Sequence, residues 1–133
     1  MTFVTIGRQL IPEAARTLVL EHVLVEHRWR AFIHVAVVMP DHAHVLLTPY
    51  APYALGDITR GVKGSSARSV NGLLGRTGSM WQHESLDHEL RHDESLRQKS
   101  HYICMNPVRK RLCSLPDEYR WLWREWIEGR RTT

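Results

Sequence analysis

The feature that most restricts what this chain can become is the run Val37-Val38-Met39-Pro40-Asp41-His42-Ala43-His44-Val45-Leu46-Leu47, two apolar stretches joined at a Pro-Asp bend. Apolar, β-branched flanks around a turn dipeptide predict a β-hairpin, with one strand over Ala31 to Met39 and the other running from the bend to about Pro49. Successive side chains of a strand leave opposite faces, so His42 and His44 share one face while Ala43, Val45 and Leu47 share the other. A hairpin buried on one face thus aims two imidazoles at one point, a rigid way to hold two nitrogens of a divalent metal site. The chain has nine histidines. About 0.6 His-x-His pairs arise by chance at that content, so a hydrogen-bonded surface pair is the competing reading of the pair taken alone.

The flanking sequence supplies a domain around this hairpin. Thr2-Phe3-Val4-Thr5-Ile6 alternates polar and apolar residues up to Gly7, as a short strand does. Pro12 suits a first helical turn, and Ala15, Leu18, Val19, His22, Val23, Val25 and Trp29 predict an amphipathic helix over Glu13 to Arg28. From Leu55, the residues Leu55, Ile58, Val62, Val70 and Leu73 form the apolar stripe of a second helix. Gly56, Gly61 and Gly64 each cost it roughly 1 kcal/mol against Ala, through either close approach of another group or poor continuity. After a turn at Gly75-Arg76-Thr77-Gly78, the segments Ser79 to Ser85 and Leu86 to His92 read as two short strands. Asp93 suits the cap of a helix running from Glu94 until Pro107 interrupts it. The tail from Leu115 reads as a C-terminal helix with Tyr119, Leu122, Trp123, Trp126 and Ile127 on one face, its tryptophans docking it on the core, with an aromatic platform for unpaired bases as the competing reading.

Composition narrows the class. A chain of 133 residues, 43% hydrophobic and 24% charged, fits a single domain over 1–133 and excludes disordered and fibrous classes. A net charge of +4 favours anionic partners, and the bases gather as Arg60, Lys63 and Arg68 on the second helix and as Arg109, Lys110 and Arg111 later on. Cys104 and Cys113 make neither a disulfide framework nor a metal knuckle, so both read as reduced thiols. With no signal-peptide apolar region and no membrane-length run, a cytoplasmic location is the expectation.

In Ser100-His101-Tyr102-Ile103-Cys104-Met105-Asn106-Pro107, a spacing of four puts Tyr102 and Asn106 one helical turn apart on one face. Packing of the phenol and termination of the helix before Pro107 are the plain explanations of those two residues. Three stretches together carry more. Met39-Pro40-Asp41-His42-Ala43-His44, then Trp81-Gln82 followed by Asp87-His88-Glu89-Leu90-Arg91, then Tyr102-Ile103-Cys104-Met105-Asn106-Pro107-Val108-Arg109 resemble, in that order, the one-tyrosine HUH transposases. More narrowly, they resemble the REP-associated tyrosine transposases, which are linked to short palindromic repeats in bacterial genomes. The resemblance runs from about Phe3 to about Trp121.

That resemblance implies an α+β domain: a ferredoxin-like antiparallel sheet with helices packed on one face, here with the C-terminal helix over about 115–133. It implies metal-dependent cleavage and rejoining of single-stranded DNA beside a hairpin, through a covalent 5′-phosphotyrosine that leaves a free 3′-OH. It implies Tyr102 as nucleophile, with His42, His44 and Asn106 as ligands of Mg²⁺ or Mn²⁺. DNA contact falls to Arg60, Lys63, Arg68, Arg109, Lys110 and Arg111. The roles of Trp81, Gln82, Asp87, His88 and Arg91 stay open between DNA contact and bracing of the sheet. Members of the group occur as monomers and as dimers.

The residue types make chemical sense of this. A phenol has a reference pKa of ~10, so at neutral pH it needs a base or an unusually electrophilic phosphodiester. A divalent ion on two imidazoles and an amide oxygen supplies the second. The chain departs from the group at Asp41, where Asn is common, at Lys110 and Arg111, where small residues are common, and at Ser85 and Leu86, where aromatic residues are common. Two rival readings stand beside the enzyme: a domesticated, inactive hairpin-DNA-binding protein, and a zinc-dependent structural domain using His42, His44 and Cys104.

Overall fold

The computed structural model describes residues 1–87 and 95–125. Strand β1 (Thr2–Val4) is followed by a 3-10 turn at Ile6–Arg8, helix α1 (Glu13–Leu24), and the hairpin of β2 (Ala31–Val38) and β3 (His42–Pro49). Helix α2 (Leu55–Leu74), helix α3 (Leu96–Cys104), a short α4 (Asn106–Arg109) and strand β4 (Leu122–Arg124) complete it. The four strands are hydrogen-bonded in the order β1-β3-β2-β4, every pair antiparallel. On the free edge of β1 the chain returns through bridges Thr5↔Trp81 and Thr2↔Leu86. That segment occupies the fourth-strand position of a ferredoxin-like sheet, and β4 extends the opposite edge. The two strands expected at Ser79 to Ser85 and Leu86 to His92 are therefore one bridged segment as far as Asp87, and residues 88–94 lie outside the described part.

Cross-strand register sorts the side chains into two layers, because directly opposed residues of an antiparallel pair share a face. Phe3 and Val38 both oppose Ala43, whereas Thr2 and Val37 both oppose His44. The Phe3 layer lies under α1 and α2. The Phe3 ring meets Trp81 edge-on at 4.6 Å, and Trp81 Nε1 donates to Ser66 Oγ of α2 at 3.0 Å. His22 and Ser69 tie α1 to α2 at 2.6 Å. The pair of helices expected on one face is thus present, and α3 additionally covers the other face, over His44 and Leu46. Burying Trp81 is worth several kcal/mol. We expect Trp81→Ala to lower stability by about 3–5 kcal/mol in urea denaturation, since it leaves a void beside Phe3 and removes the partner of Ser66.

Helix α2 buries Ile58, Thr59, Val62, Ser66 and Val70. From Ile58 the stripe steps by four residues and so reaches Leu74, which packs on the core, while the predicted Leu73 is 52% exposed. The helix is continuous through its glycines. Gly61 has a packing reason: a Cβ there would meet the Arg30 guanidinium at 2.5 Å, which is held in place by Glu26 at 2.7 Å. Helix α1 ends at Leu24, four residues before the predicted end, and Val25 and Trp29 are exposed.

The tail differs most from expectation. Residues 119–124 are not helical: Tyr119, Trp121 and Trp123 alternate with Arg120, Leu122 and Arg124, and β4 pairs Trp123 with Ala36. Tyr119 Oη donates to the Val38 carbonyl at 2.6 Å, and Trp121 Nε1 donates to Thr17 Oγ1 of α1 at 3.0 Å. The tryptophans do dock the tail on the core, but as a strand and its approach. Helical geometry begins at Glu125, and residues 126–133, with Trp126 and Ile127, lie outside the described part. Among the described residues no helix is long and apolar enough to cross a membrane.

Candidate metal and nucleophile site

The geometry begins with β3. His42 and His44 leave the face opposite Phe3, with ring centroids 4.7 Å apart and planes at 83°. Each imidazole is anchored through Nδ1. His42 Nδ1 lies 2.6 Å from Asp41 Oδ1, and because a carboxylate only accepts, Nδ1 is the donor of that bond and Nε2 is the nitrogen left to face the site. His44 Nδ1 lies 2.8 Å from Thr2 Oγ1, the residue opposite it on β1. Burial, reinforced by the positive charge of His42, the N-terminal amine, Lys99 and Arg109, pushes the His44 pKa down to about 4. It is therefore neutral at physiological pH, the state in which imidazole binds metals.

Asp41 is itself fixed. Arg8 Nη1 donates to its Oδ2 at 3.3 Å, while Thr5 N–H and Oγ1 donate to its backbone carbonyl at 3.0 and 3.2 Å. Burial raises the carboxyl's pKa, but hydrogen bonds from His42 and Arg8 and their charges outweigh burial and hold it below the usual carboxylate range. Both carboxylate oxygens are taken, so Asp41 fixes the His42 ring.

The other half of the site comes from α3 and α4. Ser95 caps α3 by accepting from Gln98 N–H at 3.3 Å, so the helix starts after Ser95 and not at the predicted cap Asp93, which lies outside the described part. The helix does not simply end at Pro107. It breaks at Met105, and Pro107, which has no N–H to give, sits in the first turn of α4. Tyr102 and Asn106 hence belong to successive helices, the phenol 58% exposed and the amide buried. Arg109 joins them: its guanidinium lies over the Tyr102 ring at 3.9 Å and donates to Asn106 Oδ1 at 3.4 Å.

These pieces border one cavity of about 90 Å³, formed by Thr2 and His44 on the sheet and by Lys99, Tyr102, Asn106 and Arg109 on the helical side. Among the described residues, no carboxylate borders it. Two imidazoles with Nδ1 already engaged and a buried amide oxygen are a donor set that suits a divalent ion.

The remaining predicted residues are dispersed. Arg60 and Lys63 border a separate groove of about 530 Å³ with Gln82 and His83, reached from α2. Lys63 Nζ donates to the carbonyls of Gln82 and His83 and to Ser85 Oγ at 2.6, 3.0 and 3.0 Å, holding that segment against β1. Arg60 pairs with Asp57, and Arg68 is exposed on α2. Arg109, Lys110 and Arg111 are exposed. Trp81 and Gln82 brace the sheet, Gln82 Nε2 donating to the Thr5 carbonyl at 3.2 Å. Asp87 is exposed, and His88 and Arg91 lie outside the described residues.

Cys104 borders a different cavity, with His34 and Arg124, so it does not complete a zinc set with His42 and His44. Among the described residues, no three His, Cys, Asp or Glu side chains stand close enough to share a metal. Sequence reasoning missed Thr2 and Lys99. The first depends on strand register and leaves no trace in sequence, whereas the second lies three residues before Tyr102, a helical neighbour by spacing.

No protein-family model and no curated protein matches the chain. Among solved structures, it superposes on a REP-associated tyrosine transposase bound to a REP hairpin with a TM-score of 0.71, covering 91% of this chain and 72% of that one. The two share a fold. Sequence identity is 20%. The likeness extends over the architecture described above, including the antiparallel sheet.

Proposed function

We propose that the protein is a tyrosine-dependent single-strand DNA endonuclease and strand transferase that acts beside a repeat hairpin. The observation that carries this reading is that His44, Tyr102 and Asn106 border one cavity, with the second imidazole of the pair next to His44. The shared fold with a hairpin-bound transposase supports it.

In this reading His42, His44 and Asn106 hold Mg²⁺ or Mn²⁺, which when bound withdraws charge from a non-bridging phosphate oxygen. Arg109 and the exposed Lys110 and Arg111 after it draw the strand to the cavity mouth, with Arg60 and Arg68 available to the hairpin across the sheet. The exposed Tyr102 phenol attacks phosphorus in line. Its Oη–P bond forms, the P–O3′ bond breaks, the phenolic proton leaves to water and the 3′-oxygen takes one up. Because the ester energy is kept in the phosphotyrosine, a 3′-OH can reverse the step and join strands. Tyr102 and His44 of a single chain already share the cavity, so the reading requires no second subunit.

The test is a labelled single strand carrying a hairpin and a flanking tail, incubated with Mn²⁺ or Mg²⁺ and run on a denaturing gel. The proposal expects a slow-migrating protein–DNA adduct that EDTA prevents. No adduct with either ion, with hairpin affinity unchanged by EDTA, would instead identify an inactive hairpin-binding protein. A further expectation concerns Asp41. Removing its carboxylate frees the His42 ring to rotate and change tautomer, so Asp41→Ala should weaken Mn²⁺ binding by about 10- to 100-fold, read by the free-ion paramagnetic resonance signal.

A further inference from the structure

Resting on the reading just given, we propose that Lys99 is a further catalytic residue, whose ammonium binds a non-bridging oxygen of the phosphodiester that Tyr102 attacks.

Lys99 lies three residues before Tyr102 in α3, with Nζ 5.3 Å from the centre of the phenol ring. It borders the cavity opposite His44. It is half-buried, and among the described residues it has neither a hydrogen bond nor a carboxylate partner. Several other cations are committed within the fold. Arg8, Arg30, Arg60 and Arg124 each pair with a carboxylate, and Lys63 with three oxygens.

A partly desolvated ammonium without a counter-charge is costly, and here it faces a cavity that no carboxylate borders among the described residues. The vacancy in its coordination suits an anion with hydrogen-bond acceptors, and a phosphodiester supplies two non-bridging oxygens. As Oη closes on phosphorus and the 3′-oxygen departs, with the proton transfers given above, negative charge on those oxygens increases. A cation already in place stabilises that charge more than it stabilises the ground-state ester. Arg109 also lies over the Tyr102 ring, at 3.9 Å, so two cations stand beside the nucleophile.

The experiment measures single-turnover adduct formation with a hairpin-flanked strand and Mn²⁺, for the wild-type chain, Lys99→Ala and Lys99→Arg. Hairpin affinity and thermal melting are recorded alongside. A second substrate has sulfur in place of one non-bridging oxygen at the cleaved phosphate, as separated diastereomers. Lys99→Ala should form the adduct about 10- to 100-fold more slowly, the range of one hydrogen bond to a charged group, with melting and hairpin affinity within twofold of wild type. Lys99→Arg should recover most of the rate. One diastereomer should slow the wild type more than it slows Lys99→Ala. Adduct formation by Lys99→Ala at the wild-type rate would overturn the assignment of Lys99 alone. Equal loss in both variants with a matching drop in melting would assign Lys99 a structural role. Absence of any adduct with the wild-type chain would overturn the reading of the whole site.

Discussion

Replacing Tyr102 by Phe should abolish the covalent protein–DNA adduct while changing hairpin affinity by less than about twofold. The variant removes one oxygen and nothing else from the cavity wall. The ring remains for Arg109 and Lys99 to stack on, at 3.9 and 5.3 Å in the native chain, so the local packing is retained. No other phenol can substitute. Tyr119 is buried, its hydroxyl is committed to the Val38 carbonyl, and burial pushes its pKa up to about 12. Tyr50 and Tyr53 follow the far end of β3, on the order of 25 Å from His42 at the rise of a strand. A denaturing gel and a fluorescence-anisotropy titration on the same labelled strand check both halves of the expectation. Undiminished adduct from the Phe variant would show that the nucleophile lies elsewhere.

The histidine pair should have the second-largest effect. His42→Ala or His44→Ala removes one of two imidazole donors and with it most of the charge withdrawal from the phosphate. A Lewis-acid contribution of several kcal/mol corresponds to a fall of about 10²- to 10³-fold in adduct formation. The two variants should differ in their side effects. His42→Ala leaves Asp41 with Arg8 as its side-chain partner, whereas His44→Ala leaves Thr2 without its cross-strand hydrogen bond. Rates at saturating Mn²⁺, compared with Mn²⁺ affinities, separate lost metal from lost orientation. Rates within threefold of wild type for both variants would exclude a metal held by this pair.

What could be read from sequence follows from how local each feature is. The hairpin, the shared face of His42 and His44, and the core faces of α1 and α2 depend on periodicity within one element, and they are where the residues predict them apart from Leu73, Val25 and Trp29, which are exposed. The β4 strand was misread because Tyr119, Leu122 and Trp123 also satisfy a helical spacing. The alternation of Tyr119, Trp121 and Trp123 was the better signal, and the pairing with Ala36 decides it. The break between α3 and α4 was half legible: Pro107 announces an interruption, but a proline suits the first turn of a new helix as well as the end of an old one, and here it opens α4. The supporting residues were the least legible. Asp41 contacts its own neighbour His42 but needs Arg8 from a left-handed turn to hold it, and Thr2 reaches His44 only through register. Basic residues were the weakest guide, since Lys63, a surface residue by composition, has all three of its hydrogen bonds inside the fold.

The central claim is that the Tyr102 phenol and the paired imidazoles act on one phosphate. It is tested most directly by mapping the modified residue. The protein is incubated with the hairpin-flanked strand in Mn²⁺ or in EDTA, digested, and the nucleotide-bearing peptide is sequenced by mass spectrometry. The account predicts a single phosphotyrosyl linkage at Tyr102 that forms only with the metal. A nucleotide on Tyr50, Tyr53 or any other residue, or an equal yield at Tyr102 in EDTA, would contradict it.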